Sequence, residues 1–258
     1  MMRKTMYALV LCLALWCGAL VIPAAEHVLF QVSTINALMQ GIYDGPATVK
    51  TLLSHGNFGL GTFNQLDGEM VMLDSVCYQI RTDGTVTTMQ DTMSVPFADV
   101  TTFTPDLTLH LTTQTTLAEL EAVIDKALPS PNRFYAISVT GEFATLRARS
   151  VPRQHKPYPL LTAVVKTQSV FEMKDVAGTM VAFRCPSFAT GIAVTGYHLH
   201  FLRADHKAGG HVLDGVVKSA TVRIAVLSTF QLSLPNDPIF NTADLTTNSP
   251  ADVQKVEK

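Results

Sequence analysis

The chain has 258 residues, 47% of them hydrophobic and only 16% charged, with a formal net charge of −2. That is enough apolar mass for a large core, in one domain or in two intimately packed ones. No basic stripe is present that would track a phosphate backbone, which argues against nucleic acid as a partner.

Arg3 and Lys4, the apolar run from Met6 to Ile22, and then Pro23, Ala24 and Ala25 read as an export leader over residues 1–25. Cleavage falls near Ala24 or Ala25 on this reading. A single-span anchor competes with it, but the run is shorter than the roughly 20 apolar residues a spanning helix needs. A lipid anchor on Cys17 is a poorer match, because Leu15 and bulky Trp16 precede it. Loss of the leader would leave a soluble, mildly acidic protein, periplasmic or secreted, with no stable membrane association. It would also leave two cysteines, Cys77 and Cys185, too few for a disulfide framework. Whether they pair stays open, with buried free thiols as the default.

Apolar side chains at Ile35, Leu38, Met39 and Ile42, then Val49, Leu52 and Leu53, predict two short helices broken at Gly45-Pro46. From Phe58 onward short apolar runs rich in Thr, Val and Phe, punctuated by Asp67-Gly68 and Asp83-Gly84, predict a β-meander. Thr116, Leu117, Leu120, Val123, Ile124 and Leu128 share a helix face that Pro129 ends. More strands are expected from Phe134. The tail from Pro235 is polar until a short helix over Ala251 to Glu257. No internal repeat is present, which excludes a solenoid.

The segment from Gly191 to Leu202, GIAVTGYHLHFL, alternates as a strand and puts Ile192, Val194, His198 and His200 on one face. The chain then reverses through Ala204, Asp205, His206 and Lys207 and returns as GGHVLDG from Gly209. A four-residue loop would set Leu202 opposite Gly209 and His200 opposite His211. Facing residues of antiparallel strands lie roughly 4.5–5.5 Å apart at Cβ, so three imidazoles would converge. Three histidines without a fourth protein ligand leave a position for water or substrate, the pattern of catalytic zinc. Spacing alone also allows three unrelated core or surface histidines. His206 reads as a solvated turn residue, and His27, His55, His110 and His155 as non-ligands.

In GLGTFNQLDGEM, Gly59 to Met70, the turn at Asp67-Gly68 places Glu69 at the head of an otherwise apolar strand, where a carboxylate is costly unless paired or metal-bound. Arg147, Arg149 and Arg153 alternate at the end of another strand and are expected on one side of it. A solvated face is the simplest reading of the three, and an anion contact by one of them the alternative.

These strings, together with VPFADVTTF (Val95 to Phe103), RARSVPRQHKPYP (Arg147 to Pro159) and GYHLHFLRADHKAGGHVLDG (Gly196 to Gly215), resemble the alpha-acetolactate decarboxylases over nearly the whole chain after the leader. The resemblance implies zinc-dependent decarboxylation of 2-hydroxy-2-methyl-3-oxobutanoate, a small-molecule substrate, to acetoin and carbon dioxide. It implies His198, His200 and His211 as zinc ligands, Glu69 as a carboxylate at the metal, and Thr62 lining the substrate site. Arg149 would bind the substrate's oxygens or help deliver the proton, with Glu69 and an ordered water as the other route. Glu257 is the position matching an acidic residue near the family's C-terminus, although a terminal Glu on a short helix is ordinarily solvated. A homodimer is implied as well.

Pattern and resemblance together give an α+β fold, mainly antiparallel and mixed β-sheets with a few helices, in two closely packed halves. Residues 26–130 form the N-terminal α+β half, and residues 131–258 the β-rich half with the metal site and a tail. A cupin-like metal oxygenase would also use HxH on a strand, but Ala204 and Asp205 stand where it wants a glutamate. An exported metal-binding protein without catalysis would leave Glu69 and Arg149 without purpose.

Overall fold

The computed structural model describes residues 27–257, so the export leader expected over residues 1–25 lies outside the described residues. The chain opens with strand β1 (Val28–Val32), helix α1 (Ile35–Met39), the short strand β2 (Ala47–Thr48) and helix α2 (Val49–Leu53). Both helices start on a threonine that accepts from the helix backbone, Thr34 from the Ala37 N–H and Thr48 from the Thr51 N–H. The meander follows as β3 (Phe58–Thr62), β4 (Glu69–Leu73), β5 (Val76–Ile80) and β6 (Val86–Thr88). After β7 (Ser94–Val95) comes β8 (Phe97–Thr101), which returns between β1 and β3.

Strands β9 (Leu107–Leu111) and β10 (Thr115–Thr116) precede α3 (Leu117–Ala127), where Thr116 and Glu119 form a capping box. Three long strands dominate the rest: β11 (Phe134–Ser150), β12 (Ser169–Cys185) and β14 (Gly209–Leu227), with α4 (Leu161–Val164) and β13 (Gly196–Arg203) between them. The chain closes with β15 (Thr229–Ser233), α5 (Pro238–Thr242) and α6 (Pro250–Glu257). The α+β class expected from the sequence is the one observed, with antiparallel pairing throughout except the parallel β1–β15 pair and an isolated parallel bridge between Cys185 and Thr195.

Two sheets carry the fold, β15-β1-β8-β3-β4-β5-β6 and β10-β14-β11-β12-β13, with β9 also on β14. Residue 130 does not divide them: β9 and β10 join the second sheet, and β15 joins the first. One apolar cluster fills the space between the sheets, including Leu60, Val71, Val181, Phe183 and Ala225. A second lies between the long strands and α3, and a third under α2. A fourth gathers Ile35, Leu38, Phe97, Val151, Leu161, Val253 and Val256 from α1, α4, α6 and the sheet ends. The candidate site sits beside this fourth cluster.

Two local expectations are corrected. The strand expected from Gly191 begins only at Gly196. Gly191 and Gly196 both take positive φ, near +80°, and the carbonyls of Gly191 and Ile192 are used by the first N–H groups of α1. Ile192 and Val194 therefore do not continue the histidine face. The three arginines also part company. Arg147 stays at the surface with Glu172 at 3.5 Å, and Arg153 lies beyond the strand end and donates to Gln65, whereas Arg149 is buried. Cys77 and Cys185 are both buried free thiols.

Candidate metal centre and active site

The β13–β14 hairpin has the register expected from the sequence: Leu202 faces Gly209, Phe201 faces Gly210 and His200 faces His211. Gly210, with φ of +139°, lets β14 pass close to β11, because a Cβ there would stand 2.5 Å from the Arg149 carbonyl oxygen. His198, His200 and His211 are all buried, and one ligand atom from each lies within 4.8 Å of the others. Among the described residues this is the one His/Cys/Asp/Glu group so arranged.

All three rings are held neutral. Burial lowers His198 and His211 well below the ordinary histidine range and His200 to about 3, and the Arg149 charge pushes the same way. Neutral imidazole is the form that ligates a metal. The tautomers follow from the carbonyls around the rings. His200 Nδ1 lies 2.8 Å from the Met70 carbonyl oxygen, and His211 Nε2 lies 2.8 Å from that of Glu257. Carbonyls only accept, so both of these nitrogens carry the hydrogen. That leaves His200 Nε2 and His211 Nδ1 as bare lone pairs 3.3 Å apart in a buried site. Two lone pairs so placed repel unless a cation lies between them, and the donor set of three neutral nitrogens suits zinc. The residues therefore fit a divalent ion.

Two carboxylates approach the same point from distant parts of the chain. Glu69, at the head of β4, reaches 3.6 Å from His200 Nε2 and accepts from Arg149 Nη1 at 2.6 Å. Burial pushes the Glu69 carboxyl up, opposed by Arg149 and by the Val151 N–H. Glu257, at the end of α6, places Oε2 3.5 Å from His198 Nε2 and 3.8 Å from His211 Nε2. Its carboxyl is pushed up to about 7 by burial, and Arg149 opposes the shift while Glu69 adds to it. The Thr62 hydroxyl lines the same cavity and donates to the Gly68 carbonyl at 2.7 Å, so its lone pairs face inward. Every residue given a site role by the family resemblance, Thr62, Glu69, Arg149, His198, His200, His211 and Glu257, lines this one cavity.

Residues 29–247 match the alpha-acetolactate decarboxylase family. The chain belongs to that family. Curated alpha-acetolactate decarboxylases that it resembles include one from Methanosarcina mazei, 47% identical over 91% of this chain and 81% of the relative. Another, from Bacillus subtilis strain 168, is 43% identical over 84% of this chain and 85% of the relative. The crystal structure of the alpha-acetolactate decarboxylase from Bacillus subtilis strain 168 superposes with a TM-score of 0.87 at 41% identity, covering 89% of this chain and 99% of that one. A solved Staphylococcus aureus protein, described as of unknown function and similar to alpha-acetolactate decarboxylase, gives a TM-score of 0.83 at 32% identity.

One buried acid in this decarboxylase-family fold escaped the sequence reading. Asp99 sits in the middle of β8, between Gln31 of β1 and Leu60 of β3, fully buried and with both carboxyl oxygens unpartnered. Burial, with the Glu257 charge adding to it, raises it to about 8. The lone Asp in VPFADV was the available signal, and it was hidden because the residues on either side read as an ordinary apolar strand. A carboxyl raised on folding is a stabilising neutral group in acid, and that stability is lost as pH climbs from the unfolded value near 4 through about 8. Asp99→Asn keeps the group neutral. Its melting temperature should therefore gain on the natural protein by on the order of 5 °C between pH 5 and pH 8. Thermal melts in which the difference is the same at both pH values would refute the assignment.

Proposed function

We propose that this acetolactate decarboxylase converts 2-acetolactate to acetoin and carbon dioxide with a zinc ion held by His198, His200 and His211. The observation that carries the reading is the facing pair of imidazole lone pairs, 3.3 Å apart and buried. In this substrate the leaving carboxylate is β to a ketone, so the electrons it abandons must flow into the carbonyl oxygen. Zinc bound there would supply Lewis acidity at the ketone and neighbouring hydroxyl, worth several kcal/mol in the transition state.

The protein's own groups do the rest. Arg149 offers its guanidinium to the substrate's oxygens while Glu69 fixes its orientation from 2.6 Å. Glu69 in turn presents its other oxygen toward the histidines. Thr62 accepts from the substrate hydroxyl. The apolar wall of Ile35, Leu38, Phe97 and Leu161 faces the methyl groups and excludes water. Glu69 is engaged by Arg149, whereas Glu257 Oε2 is buried without a hydrogen-bond partner. Glu257 is therefore the group assigned to return a proton to one face of the product carbanion equivalent, giving a chiral acetoin.

Work in the periplasm or outside the cell, and assembly as a homodimer, belong to the same proposal. The leader composition supports the first, and the family resemblance the second.

The test is to purify the protein without its leader, measure zinc by elemental analysis, and assay acetoin from racemic acetolactate before and after chelation. Zinc near one per chain is expected, with activity lost on chelation and restored by zinc. A zinc-replete protein that makes no acetoin, or a stripped one that still does, overturns the reading.

A further inference from the structure

The cavity around the histidines measures about 30 Å³. Taking on the order of 10–15 Å³ per water, that is room for about two waters and not for a five-carbon hydroxy-keto acid. What closes it is the end of the chain. The Val256 carbonyl accepts from Arg149 Nη2 at 2.8 Å, and the Glu257 carbonyl accepts from His211 Nε2 at 2.8 Å. The backbone of α6 thus takes up Arg149, the group assigned to the substrate's oxygens. Two apolar α6 side chains are buried, Val253 and Val256, seated among Ile35, Leu38, Leu161 and Val164, and the Glu257 carboxyl points at the histidines. Upstream, the Asn36 amide donates to the Leu245 carbonyl and Gln40 to Thr247. The tail is pinned at residues 245–247, and its last helix is held by two valines, two carbonyl contacts and the Glu257 carboxyl.

We propose that α6 is a gate: it must withdraw from Arg149 to admit the substrate, whose carboxylate takes the place of the Val256 carbonyl. The helix then reseats farther out, so that Glu257 still reaches the bound molecule through its side chain. This rests on the proposed substrate only through its size and its carboxylate. A helix of eight residues has little stability of its own, which makes its docking the low-energy step to open. The Leu161 and Val164 side chains of α4 pack in the same cluster as Val253, so opening separates one small apolar contact and the two carbonyl contacts and leaves both sheets intact.

The experiment uses the zinc-loaded, leaderless enzyme in two forms. In the first, Val253→Cys is combined with Val164→Cys and oxidised, the disulfide being verified by mass. The locked enzyme should lose at least about 90% of kcat/KM and recover it on reduction. Unchanged kcat/KM in the locked form overturns the gate. In the second, Val253→Ser weakens the seat, and zinc extraction by a chelator should speed up about tenfold without a fall in kcat/KM. An extraction rate equal to that of the natural protein also overturns it. The activity arm needs no assumption about the metal, so a failed gate and a failed zinc assignment give different results.

Discussion

His200→Ala should lose both the metal and turnover. His200 lies at the centre of the set: its Nε2 is 3.3 Å from His211 Nδ1 and 3.6 Å from a Glu69 oxygen, and its Nδ1 is anchored on the Met70 carbonyl of the other sheet. Removing it leaves two nitrogens on one ion and releases the link that fixes the ring's tautomer. If the Lewis acid contributes several kcal/mol, activity should fall by roughly 10³-fold or more, at 1.4 kcal/mol per tenfold. The fold should persist, because the backbone pairings of His200 with Val181 and His211 do not depend on its side chain. Zinc content after dialysis and acetoin formation are the readouts. A variant that keeps one zinc per chain yet is inactive would assign the residue to substrate rather than to the ion.

Arg149→Ala should do the reverse, keeping the metal and losing turnover, with a large cost in stability. Arg149 and Glu69 form a buried pair at 2.6 Å, and deleting one member strands the other's charge. Such losses run to about 3–5 kcal/mol, on the order of 10 °C in melting temperature for a chain of this size. The carbonyl of Val256 loses its donor as well. Loss of substrate positioning should lower kcat/KM by about 10²- to 10³-fold. The double variant Arg149→Ala with Glu69→Gln separates the two effects, since removing the stranded charge should restore much of the stability and none of the turnover. Equal metal loss in Arg149→Ala and His200→Ala would merge two roles that the geometry keeps apart.

The hairpin was readable because a four-residue reversal and period-two alternation fix which side chains meet, and His200 opposite His211 needed nothing else. The two short N-terminal helices, the meander and α3 were readable for the same reason, each having its period and its punctuation in one stretch. What local pattern could not carry was convergence from afar. Glu69 reaches Arg149 across 80 positions, and Glu257 reaches His211 across 46. A terminal glutamate reads as solvated until α6 is seen docked on the site. Alternation likewise treated Arg147, Arg149 and Arg153 alike, although only one lies beneath another layer. Asp99 was invisible because burial between sheets is a property of the assembled layers, not of its neighbours in sequence.

The parallel pairing of β1 with β15 sets an order of events during synthesis. The first sheet has its outermost strand supplied by residues 229–233, and β9 and β10 wait for β14. Neither half of the chain can be finished while the other is still on the ribosome, so a nascent N-terminal half should remain open to proteases and chaperones until almost the whole chain has emerged. The residues from 234 onward arrive after both sheets have every strand they need. The apolar core between the sheets can thus close first, and the segment bearing Glu257 joins a scaffold that has already formed.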